Sequence, residues 1–235
     1  MAKVREGREQ EQVGAMFDRI SFRYDLANRV LSFGIDQLWR NRAIRSLGSL
    51  SGKTLLDVAS GTGDMLEIAH RQSRGTAQLI ALDYARNMMV YGRKRHQTLP
   101  VVWLHGSADT LPFPDQTVDA VTITFGIRNV AAYETALREF HRVLKPGGKL
   151  AILEFSMPEN ILWRTLYGFY FNRILPIVGG GLSGNFDAYR YLPASVQKFP
   201  YGAAFNKLLY NAGFSSIHSE TLTGGIATLY TADVK

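Results

Sequence analysis

With 235 residues and 46% hydrophobic content, the chain can bury one substantial core but has little material for a second complete domain. It has no cysteine, which excludes a disulfide framework, a thiolate nucleophile and cysteine-ligated zinc; no metal is expected, and the cytoplasm is the expected compartment. Lys and Arg number 27 against 20 Asp and Glu, and the resulting net charge of +7 suits nucleic acid, acidic lipid headgroups or simply a solvated basic surface.

The first fourteen residues, MAKVREGREQEQVG, are polar and lack the apolar stretch of a signal peptide or an N-terminal anchor. Val13, Met16, Phe17 and Ile20 then recur at i, i+3, i+4 and i+7, and apolar residues from Leu26 to Trp39 continue in shorter helical pieces, so residues 1–50 are expected to form a helical cap. From Thr54 the texture changes to short apolar runs, TLLDVAS, QLIALDY, VVWLHGS, DAVTITF and KLAILEFS, with helical stretches at 64–71, 87–96 and 133–144 between them. That alternation predicts βαβ units and an α/β fold with a mainly parallel sheet. KPGG at 145–148 is expected to stop the third helix. Residues 157–200 form an apolar insert whose segment from Ile161 to Phe186 is rich in aromatic and aliphatic residues. Arg164, Asn172, Arg173, Pro176 and a glycine triplet interrupt it, which argues against a transmembrane span. A helix over 201–212 and strands over 215–222 and 225–234, joined at Thr-Gly-Gly, close the sheet with an antiparallel hairpin and bring it to seven strands.

In an open parallel sheet a ligand sits at the carboxyl ends of the strands, and LDVASGTGD places Gly61 and Gly63 in the first strand-to-helix turn. A dinucleotide fingerprint needs a small residue where Leu66 stands, and a P-loop needs Gly-Lys-Ser/Thr in this turn, where Gly61-Thr62-Gly63-Asp64 stands instead. Asp83, about twenty residues on at the end of the second strand, is placed to bind a ribose diol. A ribose without a pyrophosphate suggests S-adenosylmethionine, although a glycine pair after a strand also serves as a plain tight turn. Ser107, Ala108 and Asp109 follow the third strand, where they are expected to meet the adenine edge; Asp109 reads equally as a helix cap. Met88 reads as a cover for the adenine face or as core. The expected cofactor contacts are Asp57, Gly61, Thr62, Gly63, Asp83, Met88, Ser107, Ala108, Asp109 and Thr124.

Several longer stretches carry a family resemblance. They are YDLANRVLSFGIDQLW at 24–39, LDVASGTGD at 56–64, LPFPD at 111–115, FGIRNV at 125–130, RVLKPGGKLAILEFS at 142–156 and TGGIATLY near the end. In these the chain resembles, over essentially its full length, the ubiquinone/menaquinone biosynthesis C-methyltransferases, class I enzymes of Rossmann-like fold. FGIRN and the E-x-S ending of the fifth strand are the most particular elements. The N-terminal pattern departs from the family at Ala27, where Met is usual, and at Asp36, where His is usual.

The resemblance implies C-methylation of a polyprenylated quinol ring by S-adenosylmethionine, most directly demethylmenaquinol to menaquinol, with S-adenosylhomocysteine as by-product. An aromatic C–H carbon becomes nucleophilic when a neighbouring hydroxyl is deprotonated, so a base or a held water is required. The resemblance places Arg128 and Asn129 there, acting through a water, with Tyr24 and Asp25 closing the site. Arg128 reads alternatively as a salt-bridge residue, and Asn129 as a turn residue. The apolar insert suits a prenyl tunnel, a lid on the membrane surface or a subunit interface such as that of a homodimer. Arg42, Arg45, Arg93, Lys94 and Arg95 are expected to favour peripheral attachment at the inner face of the membrane. Two further readings stand beside this one: methylation of another lipophilic phenol, and a nucleic-acid-binding module. The second lacks an Asn-Pro-Pro-aromatic base-methylation motif, so no nucleic-acid partner is expected.

Overall fold

The computed structural model of the protein describes Ala15, Ser32 and residues 34–183 and 186–235. The expected helical face at Val13 to Ile20, together with Tyr24, Asp25 and Ala27, lies outside the described residues. Helix α1 (Ile35–Ser46) leads into β1 (Thr54–Val58), α2 (Asp64–Gln72), β2 (Gln78–Asp83), α3 (Arg86–Arg95) and β3 (Val101–His105). Next come β4 (Val118–Thr124), a 3₁₀ turn (Ile127–Asn129), α4 (Tyr133–Val143) and β5 (Leu144–Phe155). The insert folds as α5 (Ile161–Phe169), a π turn (Tyr170–Ile174), α6 (Leu175–Ser183) and α7 (Phe186–Lys198); α8 (Ala203–Asn211) and the hairpin β6 (Ser215–Leu222) and β7 (Ala227–Asp233) finish the chain.

The seven strands lie in the order β3-β2-β1-β4-β5-β7-β6. Strands β1 to β5 pair in parallel, and β7 runs antiparallel to both β5 and β6. Helices cover both faces, so β1 is apolar on each side: Leu55 packs in one core cluster while Leu56 and Val58 pack in the other. Each of these side chains is 0% exposed, worth about 1.5–3 kcal/mol of transfer free energy. In α4 the buried residues Ala136, Leu137, Phe140 and Val143 recur at helical spacing, and KPGG ends that helix and enters β5 beside a register shift at Val118/Ala120. The order reverses between β1, whose helix leads to β2, and β4. That switch point opens a crevice at the carboxyl ends of the two strands.

The insert is more regular than its interrupted composition suggested. Asn160 caps α5 by accepting from the Trp163 amide at 3.0 Å, and the π turn lies just before Pro176, whose missing N–H interrupts the hydrogen bonding of an otherwise unbroken helical run from 161 to 183. Tyr167, Phe171, Leu175 and Val196 form a small core of their own that leans on Phe155 and Ile226 of the sheet. Among the described residues no helix is long and apolar enough to cross a membrane.

Candidate functional site

The crevice is a cleft floored by the glycine turn. Gly61, at φ +54°, donates its amide to Asp83 Oδ2 at 2.6 Å, and Asp83 Oδ1 accepts the Ala85 amide at 2.7 Å, so one carboxylate ties the turn to the start of α3. Asp57, Gly61, Thr62, Asp83, Met88, Ala108 and Thr124 all line this cleft. Asp57 is 1% exposed and accepts from Thr122 Oγ1 at 2.7 Å, but among the described residues its Oδ2 has no partner, nor have Ser60 Oγ and Thr124 Oγ1. A buried polar atom without a partner costs about 1–3 kcal/mol. Three of them on one cleft mark a place for a polar ligand, and the donors and acceptors of a ribose and an amino acid suit them. Burial pushes the Asp57 carboxyl up to about 7, against the opposing pull of the Thr122 hydroxyl and Arg40. A cationic ligand such as S-adenosylmethionine would restore its charge, so the residues present fit that cofactor.

Three expected contacts do not line the cleft. Gly63 instead starts α2 in the left-handed region at φ +89°, and a Cβ there would lie 2.9 Å from the Trp103 ring, so the glycine is needed for packing. The Ser107 hydroxyl donates to Asp109, and it is Gly106 and Ala108 of that turn which face the cleft. Sequence reasoning passed over Arg40, Ala59, Phe125, Gly126 and Val130, which also line it. Their signal was present in part, since Phe125 and Gly126 open the FGIRN segment. A Cβ on Gly126 would stand 2.5 Å from that of Ala59, which brings the ends of β1 and β4 together. Ala59 and Phe125 both hold positive φ, at 51° and 55°, a strain that the packed strand ends maintain at the site.

Beside the cleft lies a second cavity of about 530 Å³, walled by α1, the end of β5, α5, the π turn and the hairpin turn. Trp39, Phe125, Phe155, Tyr167 and Phe171 give it an aromatic lining. Phe125 stacks on Phe155 at 4.3 Å between ring centres, and Trp39 is fixed edge-on to both while its Nε1 donates to Thr223 Oγ1 at 2.9 Å. Arg40 and Phe125 line both spaces, with the guanidinium 5.3 Å over the ring, so the cleft and the cavity meet at this pair.

Asn129 lines the cleft and accepts from the Tyr191 hydroxyl of α7 at 3.1 Å, linking the 3₁₀ turn to the insert. Arg128 is placed otherwise than expected. Its side chain is 3% exposed, lines neither space, and forms an ion pair with Glu154 at 2.7 Å while donating to the Phe125 carbonyl. Glu154, 1% exposed at the end of β5, also accepts from the Arg128 and Phe155 amides at 3.3 and 2.9 Å. A carboxylate that deep requires a cation, so the two family motifs FGIRN and E-x-S meet as a buried pair that fixes the turn carrying Asn129. Ser156, the last residue of E-x-S, holds the hairpin turn by bonding Gly225 O at 2.8 Å and Thr228 Oγ1 at 2.9 Å. Among the basic residues named from sequence, Arg42 pairs with Glu220 at 3.0 Å and Arg95 with Asp64 at 2.8 Å, so two of the five already have acidic partners.

Residues 3–234 match the ubiE/COQ5 methyltransferase family. The chain is 46% identical over 220 residues to a demethylmenaquinone methyltransferase of Thermus thermophilus, covering 93% of this chain and 99% of that protein. It is 43% identical over 228 residues to the ubiquinone/menaquinone biosynthesis C-methyltransferase UbiE of Geobacter sulfurreducens, covering 95% and 88%. A crystal structure of a SAM dependent methyltransferase from Aquifex aeolicus superposes with a TM-score of 0.61 at 20% identity, covering 83% of this chain and 89% of that one, which supports the fold. Identity above 40% sustained along nearly the whole chain goes further than a common fold: the chain belongs to the ubiE/COQ5 methyltransferase family and is an S-adenosylmethionine-dependent methyltransferase.

Proposed function

We propose that the protein methylates a ring carbon of a polyprenylated quinol, with demethylmenaquinol as the first candidate and a ubiquinol precursor as the second. The observation that carries this reading is the 530 Å³ aromatic cavity adjoining the cofactor cleft, with Arg40 and Phe125 in the walls of both. A flat, lipophilic ring needs an aromatic slot, and a prenyl tail needs an apolar continuation; the cavity offers both. Bound in the cleft, the cofactor supplies an electrophilic methyl group on a sulfonium. Asp57, Ser60, Thr62, Asp83 and Thr124 would hold it, with Met88 and Ala108 covering its apolar parts. Phe125 and Trp39 position the ring, and the cavity walls exclude water from the meeting point, so that much of the rate comes from orientation.

The reading also accounts for the outer face of the insert. Ile161, Leu162 and Ile177 are 69–81% exposed on α5 and α6 and lie outside the cavity lining, to which Leu166 and Phe169 of α5 belong. Such a face suits a bilayer surface, where a polyprenyl substrate resides, and we place the enzyme peripherally at the inner membrane face.

The test is methyl transfer from labelled S-adenosylmethionine to a demethylated naphthoquinone with a short prenyl tail, before and after chemical reduction, followed by mass analysis. A product heavier by one methyl only after reduction is expected. Transfer to neither this ring nor its benzoquinol counterpart, by protein that binds the cofactor, would overturn the reading in favour of another lipophilic phenol.

A further inference from the structure

Deprotonation of the quinol needs an acceptor, and the groups around the two spaces can be compared for the task. Arg128 is held in its buried pair with Glu154 and reaches neither space. Asn129 has no basic atom at neutral pH. Burial raises the hydroxyls of Tyr167 and Tyr170 further from ionisation at neutral pH, and no histidine is among the described residues lining the cavity. Asp57, Asp64 and Asp83 lie in the cofactor cleft, outside the apolar cavity. The remaining group is Asp36, the sole carboxylate among the described residues lining the cavity.

Asp36 sits in the first turn of α1 and is 4% exposed. Its Oδ1 accepts from Ser32 Oγ at 2.8 Å, and its Oδ2 from Gln37 Nε2 at 3.3 Å and Arg40 Nε at 3.5 Å. A carboxylate in so apolar a setting is costly unless held by donors, and these three orient it. Arg40, one helical turn on, lines both spaces, so the Asp36–Arg40 pair stands where the methyl must pass from cofactor to ring. Among the described residues the charged and titratable groups around it are Arg40 on α1, Tyr167 on α5, Tyr170 in the π turn and Asp64 on α2, the last reached through Gln37 at 3.5 Å.

We propose that Asp36 is the proton acceptor of the reaction and that Arg40 stabilises the phenolate it generates, an assignment that rests on the quinol reading above. The Asp36 carboxylate takes the proton of the ring hydroxyl next to the reacting carbon as the O–H bond breaks. The oxygen pair delocalises onto that carbon, which forms its bond to the methyl; the methyl–sulfur bond breaks, its pair staying on sulfur. The ring C–H proton then leaves to water, aromaticity returns, and the oxygen recovers its proton from Asp36. One proton per turnover passes to solvent, and the carboxylate is regenerated.

The test uses the full chain and its D36N and D36H variants with the reduced short-tail demethylnaphthoquinol. It reads kcat and KM against pH, with calorimetric affinity for S-adenosylmethionine as the measure of an intact fold. For D36N, kcat should fall roughly 10²- to 10⁴-fold, the usual contribution of a positioned base. Cofactor affinity should stay within about twofold of the parent. The acid limb of the pH–kcat profile should disappear. D36H should recover part of the rate, with a limb near the imidazole range of about 6.5. A D36N enzyme with the parent rate and pH profile would overturn the assignment. Equal losses in both variants with the limb unchanged would do the same, since that is what a positional role predicts. If the parent binds cofactor but methylates no quinol, the substrate reading falls and this assignment with it; parent turnover beside a normal D36N sinks Asp36 alone.

Discussion

Breaking the Arg128–Glu154 pair from either side should destabilise the fold far more than removing both charges together. The two side chains are 3% and 1% exposed and 2.7 Å apart, so Glu154→Gln leaves a buried guanidinium without its counter-charge, with the Phe125 carbonyl as its other acceptor. Such an orphaned charge costs about 3–5 kcal/mol. At about 2–4 °C per kcal/mol for a domain of this size, the melting temperature should drop by roughly 6–20 °C. Arg128→Met strands Glu154 with two amide donors and should cost a similar amount. The double variant R128M/E154M fills the same space without charge and should lie closer to the parent than either single one. Urea unfolding of the four proteins, followed by circular dichroism, gives the cycle directly. Additive single effects, or single variants within about 1 kcal/mol of the parent, would refute the buried-pair account and return Arg128 to the list of groups available for catalysis.

Gly126→Ala should cost about 1–3 kcal/mol, the usual price of overpacking, because its Cβ would meet that of Ala59 at 2.5 Å and part the ends of β1 and β4. Cofactor affinity, measured calorimetrically, should fall at least about tenfold, a loss of some 1.4 kcal/mol; parent affinity would show that the cleft tolerates the separation. Asp57 gives a pH dependence whose sign follows from its elevated pKa. The unfolded carboxyl ionises near 3.8 and the folded one near 7, so the native state retains a proton that the unfolded chain has lost. Stability of the cofactor-free protein should therefore decline as pH rises from about 4 to about 7 and level off above. Asp57→Asn should remove that part of the decline in urea midpoints measured across the range; an unchanged slope would show that the group is not perturbed.

The alternation of apolar runs with helical stretches was enough to predict the parallel sheet, its antiparallel hairpin and the ligand end of the strands. Burial on both faces makes a strand read as a continuous apolar run, a property of the segment itself. Gly61 and Asp83 were legible for a related reason: one turn and one strand end place them, and their hydrogen bond at 2.6 Å closes the same βαβ unit. Of the two readings of Arg128, the structure shows the salt bridge, whose partner Glu154 lies 26 positions later on a neighbouring strand, and no local pattern distinguishes a guanidinium facing substrate from one neutralised in the core. Gly63 and Gly126 look alike in the sequence, yet the first is demanded by the Trp103 ring and the second by Ala59.

What the sequence determined by itself was therefore the order of elements, the place of the crevice and, through the family motifs, the reaction class. Tertiary structure alone decided which side chains reach that crevice, because neutralising a buried charge, walling a cavity with five separate elements and bringing Asp36, Arg40 and Phe125 to one junction all depend on contacts between segments distant in the chain.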